Sequence, residues 1–247
     1  MNCKELFEKV KNKSISPDNF LTNVRELSNQ NIRTGIKISD ETTIFRTRLY
    51  NYEAKPKLIS ELSYPPKEIT ILQRANNKGE QIFYGSFGYK TAFVESKVKA
   101  NEYLVVSEWV NIDPLVLMQI GLTTLEASHY GKNNLIHDGI NKLIHDIFTW
   151  RGNELYEYSS IIAYHYLRGD LISGILYPSI SSDFESTNVA IHTNFVDKSM
   201  RLVQAYLYHV NKVSQPEEYE VNEIAYAIPD SEGNLLWENG RVEQLYF

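Results

Sequence analysis

Strand-type and helix-type segments do not alternate along this chain, and that irregular order excludes the repeating strand–helix pattern of a doubly wound parallel sheet. Two short helices come first, over 3–31. Leu6, Phe7 and Val10 share one face, the chain breaks at Ser14–Ser16, and Ser16-Pro17 supplies the cap and first residue of a second helix carrying Phe20, Leu21, Val24 and Leu27. TTIFRTRLY (42–50) alternates and is rich in β-branched and aromatic residues, so it predicts a strand. Residues 51–68 read as loop ending at Pro65-Pro66. ITIL (69–72) predicts a short strand, QIFYGSF (81–87) another, 89–99 a helix and EYLVVSEWVNI (102–112) a strong strand. Helices are predicted over 123–148, broken at Gly131, and over 153–168. LISGILYPS (171–179) reads as a strand stopped by Pro178, and NVAIHT (188–193) as a shorter one. The tail from 198 to 247 predicts three or four antiparallel strands with a turn at PDSEGN (229–234). The expectation is a single α+β domain over 1–247, a mixed sheet core with flanking helices.

At 247 residues the chain buries a core without help from disulfides or metals. Lys and Arg number 25 against 31 Asp and Glu, a net charge of −6. A mildly acidic chain lacks the broad cationic face of a nucleic-acid binder, so no direct nucleic-acid contact is expected; a small cationic pocket remains compatible. Cys3 is the single cysteine. It rules out an internal disulfide framework and a cysteine zinc site, and lies too near the terminus to serve as a nucleophile. No segment approaches the roughly 18 uninterrupted apolar residues of a membrane span. The richest stretch, YLVVSEWVNIDPLVLMQIGL, is broken by Glu108, Asn111, Asp113 and Pro114. The start, MNCKELFEKVKNK, has no apolar core of a secretory signal. The expected setting is cytoplasmic, away from membranes.

Two LIHD repeats, at 135–138 and 143–146, suggest a metal phosphohydrolase. Geometry objects: eight residues separate His137 from His145, about 12 Å along a helix axis, so they cannot share one ion. A solvated helix face is expected there, and no metal site. GSFGYK (85–90) lacks both the third glycine of a dinucleotide fingerprint and the Gly-Lys-Ser/Thr of a phosphate loop, so it reads as a turn. Tyr156, Tyr158, Tyr164 and Tyr166 on one predicted helix read as core and interface packing. More informative are polar residues set in apolar segments. Arg46 and Arg48 share a face of one strand by the two-residue period, and two cations on one face meet either solvent or an anion. Arg74 lies in QRANNKG, whose Asn and Gly suit turns and phosphate-cradling backbone. Glu95 follows the apolar run AFV, and Ser179 follows Tyr177-Pro178 at a strand end, where sites collect.

In order, IFR (44–46), QRANNKG (73–79), IFYGSF (82–87), TAFVE (91–95), GILYPS (174–179) and NVAI (188–191) resemble the RES domain, a family named for its Arg, Glu and Ser. The resemblance covers about residues 42–195. It leaves 1–41 as an N-terminal helical extension and 196–247 as a strand-rich C-terminal one. It implies a fold similar to ADP-ribosyltransferases and an NAD+-consuming toxin or defence effector, with NAD+ as substrate and no separate cofactor. It also implies an Xre-like antitoxin as partner and a homodimer. On this resemblance Arg46 and Arg74 take the family's arginine positions, Tyr84 its aromatic, Glu95 its glutamate and Ser179 its serine. Arg48, Asn76, Gly79, Tyr177 and Asn188 are the expected substrate contacts. Gln73 stands where the family often has Gly, His192-Thr193 where Asn-Pro is common, and Ser159-Ser160 where Ser-Gln is usual.

These residue types suit cleavage of a nicotinamide–ribose bond. The step builds positive charge on the ribose, as in other glycosidic cleavages, and Glu95 is the candidate to stabilise it. Arg46 and Arg74 offer rigid forks for the pyrophosphate. Tyr84 offers an aromatic face to the cationic nicotinamide, and Ser179 can orient the substrate. Hydrolysis, phosphorolysis with phosphate as co-substrate, ADP-ribosyl transfer to a protein, and a catalytically inactive interaction module all remain open.

Overall fold

The computed structural model describes residues 1–28, 35–121, 139–167, 171–181, 186–214, 218–240 and 244–246. Among them the helices are α1 (Cys3–Lys11), α2 (Pro17–Ser28), α3 (Ile59–Leu62), α4 (Tyr89–Ser96), α5 (Gly139–Phe148), α6 (Tyr156–Leu167) and α7 (Thr193–Ser199). The strands are β1 (Gly35–Ile38), β2 (Thr43–Tyr50), β3 (Ile82–Ser86), β4 (Tyr103–Asn111), β5 (Leu115–Gln119), β6 (Gly174–Pro178), β7 (Thr187–His192), β8 (Met200–Ser214), β9 (Glu218–Pro229), β10 (Leu235–Asn239) and β11 (Gln244–Tyr246).

Capping starts the chain. The Asn2 side chain accepts from the Glu5 amide, and the Glu5 carboxylate accepts from the Asn2 amide, a reciprocal box that fixes the first turn of α1. Leu6, Val10, Phe20 and Val24 of α1 and α2 are buried with Ile140, Ile144 and Ile147 of α5 and Ile162 of α6, in a layer that also takes in Ile175 and Tyr177 of β6. The other face of the sheet buries Ile44, Phe83, Val105, Trp109, Leu117 and Leu207. A third cluster lies under α4, where Phe93 and Val94 meet Leu104, Val106 and Tyr208.

The strands form one mixed sheet in the order β1-β5-β6-β7-β3-β2-β4-β8-β9-β10, with β11 also on β9. Among the described residues only β5 and β6 run parallel. The sheet has a seam. β2 pairs with β4 along its whole length, yet meets β3 through one residue pair, Phe45 with Ser86. Two half-sheets therefore diverge from that pair. Gly85 permits the contact: a Cβ there would lie 2.6 Å from Ile44 Cγ2 and 3.0 Å from the Phe45 carbonyl oxygen.

The α+β expectation holds, with helices flanking a mixed sheet. Several local expectations do not. ITIL (69–72) is not a strand: Lys67–Ile69 forms a 3-10 turn, and Ile69 and Ile71 are 66% and 64% exposed. Their β-branched composition signals a strand, but none of the strands among the described residues pairs with them. The expected loop at 51–68 contains α3. β1 and β5 were not anticipated, because β1 has only four residues and β5 is buried on both faces and so shows no alternation. Of the helix predicted over 123–148, the part from Gly139 is seen. Residues 122–138, with Gly131 and the first LIHD, lie outside the described residues. The PDSEGN turn is formed, its Asp230 carboxylate accepting the amides of Glu232 and Asn234. No helix among the described residues is long and apolar enough to cross a membrane.

Candidate active site

The seam opens on a cavity of about 970 Å³, near the top of the roughly 300–1,000 Å³ usual for ligand pockets. α4 forms one wall. Gly88 caps it, its buried Ala92, Phe93 and Val94 seat it on the sheet, and the Thr47 hydroxyl of β2 donates to the Ala92 carbonyl at 3.0 Å. Lys97, at φ 54°, ends the helix in the left-handed conformation and leaves Glu95 in the last turn.

Glu95 is met there by the end of the β6–β7 pair. Its Oε1 accepts from the Ser179 hydroxyl at 2.5 Å and from Asn188 Nδ2 at 2.6 Å. Its Oε2 accepts from the Ser181 hydroxyl at 3.2 Å. Residues spread over nearly a hundred positions thus fix one carboxylate from two sides. Ser179 is fully buried behind Glu95, whereas Glu95, Ser181 and Asn188 line the cavity.

The arginines are held by backbone oxygens. Arg46 Nε donates to the Ser63 carbonyl at 3.1 Å and Nη1 to the Tyr84 carbonyl at 2.6 Å, with the guanidinium 5.2 Å from the Phe83 ring centre. Burial, and next the neighbouring Arg48 charge, push Arg46 down to about 9, so it remains a cation at neutral pH. Arg74 donates to the Phe148 and Trp150 carbonyls and lies 5.1 Å over the Tyr156 ring. Both guanidinium groups line the cavity while bracing its walls.

Tyr84 sets the loop that carries Arg74. Its hydroxyl donates to Asn76 Oδ1 at 2.7 Å and accepts from the Ala75 amide at 3.0 Å. Burial raises both Tyr84 and Tyr177 above the usual tyrosine range, so both stay neutral. Tyr177 lines the cavity and packs on Phe148 at 6.1 Å.

Of the expected site residues, Arg46, Arg74, Tyr84, Glu95, Tyr177 and Asn188 line the cavity, and Ser179 supports it through Glu95. Three do not reach it. Asn76 is buried in its own turn, its Nδ2 donating to the Ile71 and Asn77 carbonyls. Gly79, at φ 79°, shapes the same loop, its amide donating to the Thr70 carbonyl at 3.0 Å. Arg48, on the same face of β2 as Arg46 and donating to the same Ser63 carbonyl, lines a separate cavity. Sequence reasoning missed Ser181, Tyr156 and Arg151, which line the cavity. Ser181 was findable, two positions beyond Ser179. The other two come from a segment brought in by tertiary packing, which no local pattern signals. Ser160, one of the departures from the family pattern, donates to Asn77 Oδ1 at 3.0 Å. His192, another, caps α7 through the Asn194 amide. His145 of the second LIHD places Nδ1 2.5 Å from the Gly121 carbonyl, a contact inside the fold. No group of three or more His, Cys, Asp or Glu fit for a metal stands among the described residues.

The α+β fold thus carries, at a split in its mixed sheet, a cavity lined by cations, aromatic rings and one braced carboxylate. The family model described as the RES domain matches residues 46–211, two thirds of the chain, and the chain belongs to that family. The family is known in enzymes that act on NAD+, which points to an NAD+-related, toxin-type function. The match runs past the expected boundary at 195 and takes in most of β8, which pairs with β4 along Tyr103–Asn111. None of the curated proteins compared with the chain matches it.

Proposed function

We propose that this protein breaks the nicotinamide–ribose bond of NAD+ and passes the ADP-ribosyl group to water or phosphate. In that step the C–N bond breaks, its electron pair leaves with nicotinamide, and positive charge develops on the ribose. The acceptor oxygen then bonds to the same carbon and loses its proton. The observation that carries the reading is the Glu95 carboxylate, held by Ser179, Ser181 and Asn188 on the wall of a cationic, aromatic cavity. A fixed negative charge beside a developing cation needs no reorganisation as the reaction proceeds, which is how electrostatic catalysis gains most. Arg46 and Arg74 supply cationic walls for the pyrophosphate, and the Tyr84, Tyr156 and Tyr177 rings supply surfaces for the flat groups. A role as toxin or defence effector, with an Xre-like antitoxin as partner, is proposed with it on the strength of the family.

The test is loss of NAD+ by purified protein, with and without phosphate, and mass spectrometry of the products. ADP-ribose 1″-phosphate identifies a phosphorylase and free ADP-ribose a glycohydrolase. Glu95→Gln keeps an acceptor oxygen for Ser179 and Asn188 and removes the charge. It is expected to lower the rate by a hundredfold or more, on the order of the loss when one electrostatic stabiliser is removed, with the melting temperature held. Undiminished NAD+ loss in this variant would sink the reading.

A further inference from the structure

The Glu95 carboxylate presents two unequal oxygens. Oε1 takes two short hydrogen bonds, from Ser179 at 2.5 Å and Asn188 at 2.6 Å, with Ser179 fully buried behind it. Oε2 takes one longer bond, from Ser181 at 3.2 Å. A carboxylate oxygen accepts about two hydrogen bonds. Oε1 is therefore saturated and serves as the anchor, while Oε2 keeps room for the reacting ribose.

Ser181 differs from the other hydroxyls of the cavity. Thr47, Ser86 and Ser96 donate to the Ala92, Gly88 and Phe93 carbonyls, and Tyr84 donates to Asn76. Among the described residues, Ser181 is the hydroxyl on the cavity wall that donates to a carboxylate. A hydroxyl has one proton and two acceptor lone pairs. With its proton held on Oε2, the half-buried Ser181 keeps its lone pairs for a donor in the cavity. Ser179 makes the same donation from a position closed to the cavity.

We propose that Ser181 relays a proton from the acceptor to Glu95, and that the acceptor is accordingly water; this rests on the NAD+ reading. As the water oxygen bonds to the ribose carbon, its proton passes to Ser181 Oγ while the Ser181 proton passes to Glu95 Oε2. The electron pair of the broken C–N bond has already left with nicotinamide. The Ser181 hydroxyl is regenerated, Glu95 is left as the neutral acid, and its proton then goes to bulk water. Glu95 thus keeps its charge while the ribosyl cation exists and is neutralised only as that cation is consumed. Phosphate dianion attacks through an oxygen that carries no proton and has no use for such a relay.

The parent protein and Ser181→Ala are compared in phosphate-free buffer, with and without sodium azide, by NAD+ loss and mass spectrometry of the products. Azide attacks as an anion and has no proton to lose. Ser181→Ala is expected to lower hydrolysis about a hundredfold, the low end of what a positioned proton acceptor contributes, with KM for NAD+ unchanged. Azide is expected to restore NAD+ loss in that variant, with ADP-ribosyl azide as the product. Ser181→Thr keeps the hydroxyl and is expected to hydrolyse NAD+ at close to the parent rate. Undiminished hydrolysis in Ser181→Ala overturns the relay. So does an equal loss with water and with azide, which marks Ser181 as a support for Glu95 alone. A parent protein that consumes NAD+ with phosphate or azide but not with water overturns the relay and leaves the NAD+ reading standing. One that consumes no NAD+ with any of these acceptors overturns both.

Discussion

Tyr84 works through its hydroxyl as well as its ring. The oxygen bridges the Ala75 amide and the Asn76 side chain, and so decides where Arg74 begins. Tyr84→Phe keeps the ring and removes the bridge. It is expected to cost roughly 1–2 kcal/mol of stability, the usual toll for a buried partner left unpaired. KM for NAD+ should rise more than kcat falls, because the loop and its arginine are displaced while Glu95 is untouched. Steady-state kinetics beside a thermal melt checks both, and a kcat loss with an unchanged KM contradicts it. Glu95 and Ser179 were legible in the sequence as polar residues at the border of apolar segments, and Asn188 through the resemblance to the RES domain. What the two arginines hold was not. The carbonyl acceptors of Arg46 and Arg74 lie 17 to 76 positions away, and a backbone oxygen has no residue identity to read.

Elements that pair locally or alternate cleanly were legible: β2, β3, β4 and the β8–β10 tail. β5 was not, because burial on both faces erases the period. ITIL misled because composition cannot report whether a partner strand is present. The seam is the element-scale feature on which the cavity depends, and Gly85 is its test. Adding a Cβ there forces it against Ile44 and the Phe45 carbonyl. Gly85→Ala is expected to destabilise by roughly 1–3 kcal/mol, as overpacking does, visible in urea or thermal unfolding. A variant as stable as the parent would show that the half-sheets separate freely at this point.

At the scale of the whole molecule, burial governs alkaline stability. Tyr84, Tyr89, Tyr177 and Tyr208 are all raised above the ordinary tyrosine value of 10.0, chiefly by burial. The unfolded chain therefore loses these protons near pH 10 while the folded chain keeps them. Their contribution is full below pH 10 and is lost as pH rises beyond it. Arg46 acts in the opposite sense. Its folded value of about 9 lies well below that of the free group, so its burial cost is relieved as pH climbs above 9. Four tyrosines outweigh one arginine, and the melting temperature is expected to fall as pH passes 10. Tyrosinate absorbance from these four side chains should appear only with unfolding. A melting temperature that holds or rises between pH 10 and 11.5 contradicts this balance.

Paired strands keep a spacing near 4.8 Å that no side chain can alter. Where β2 and β3 part company, that constraint lapses after a single residue pair. The gap is spanned instead by side chains: Arg46 to the Tyr84 carbonyl, and Trp109 on Phe83 at 5.3 Å. The aperture of the pocket is thus written in residue identities. One substitution at such a strut can retune which ligands are admitted, while each half-sheet keeps every hydrogen bond of its own ladder.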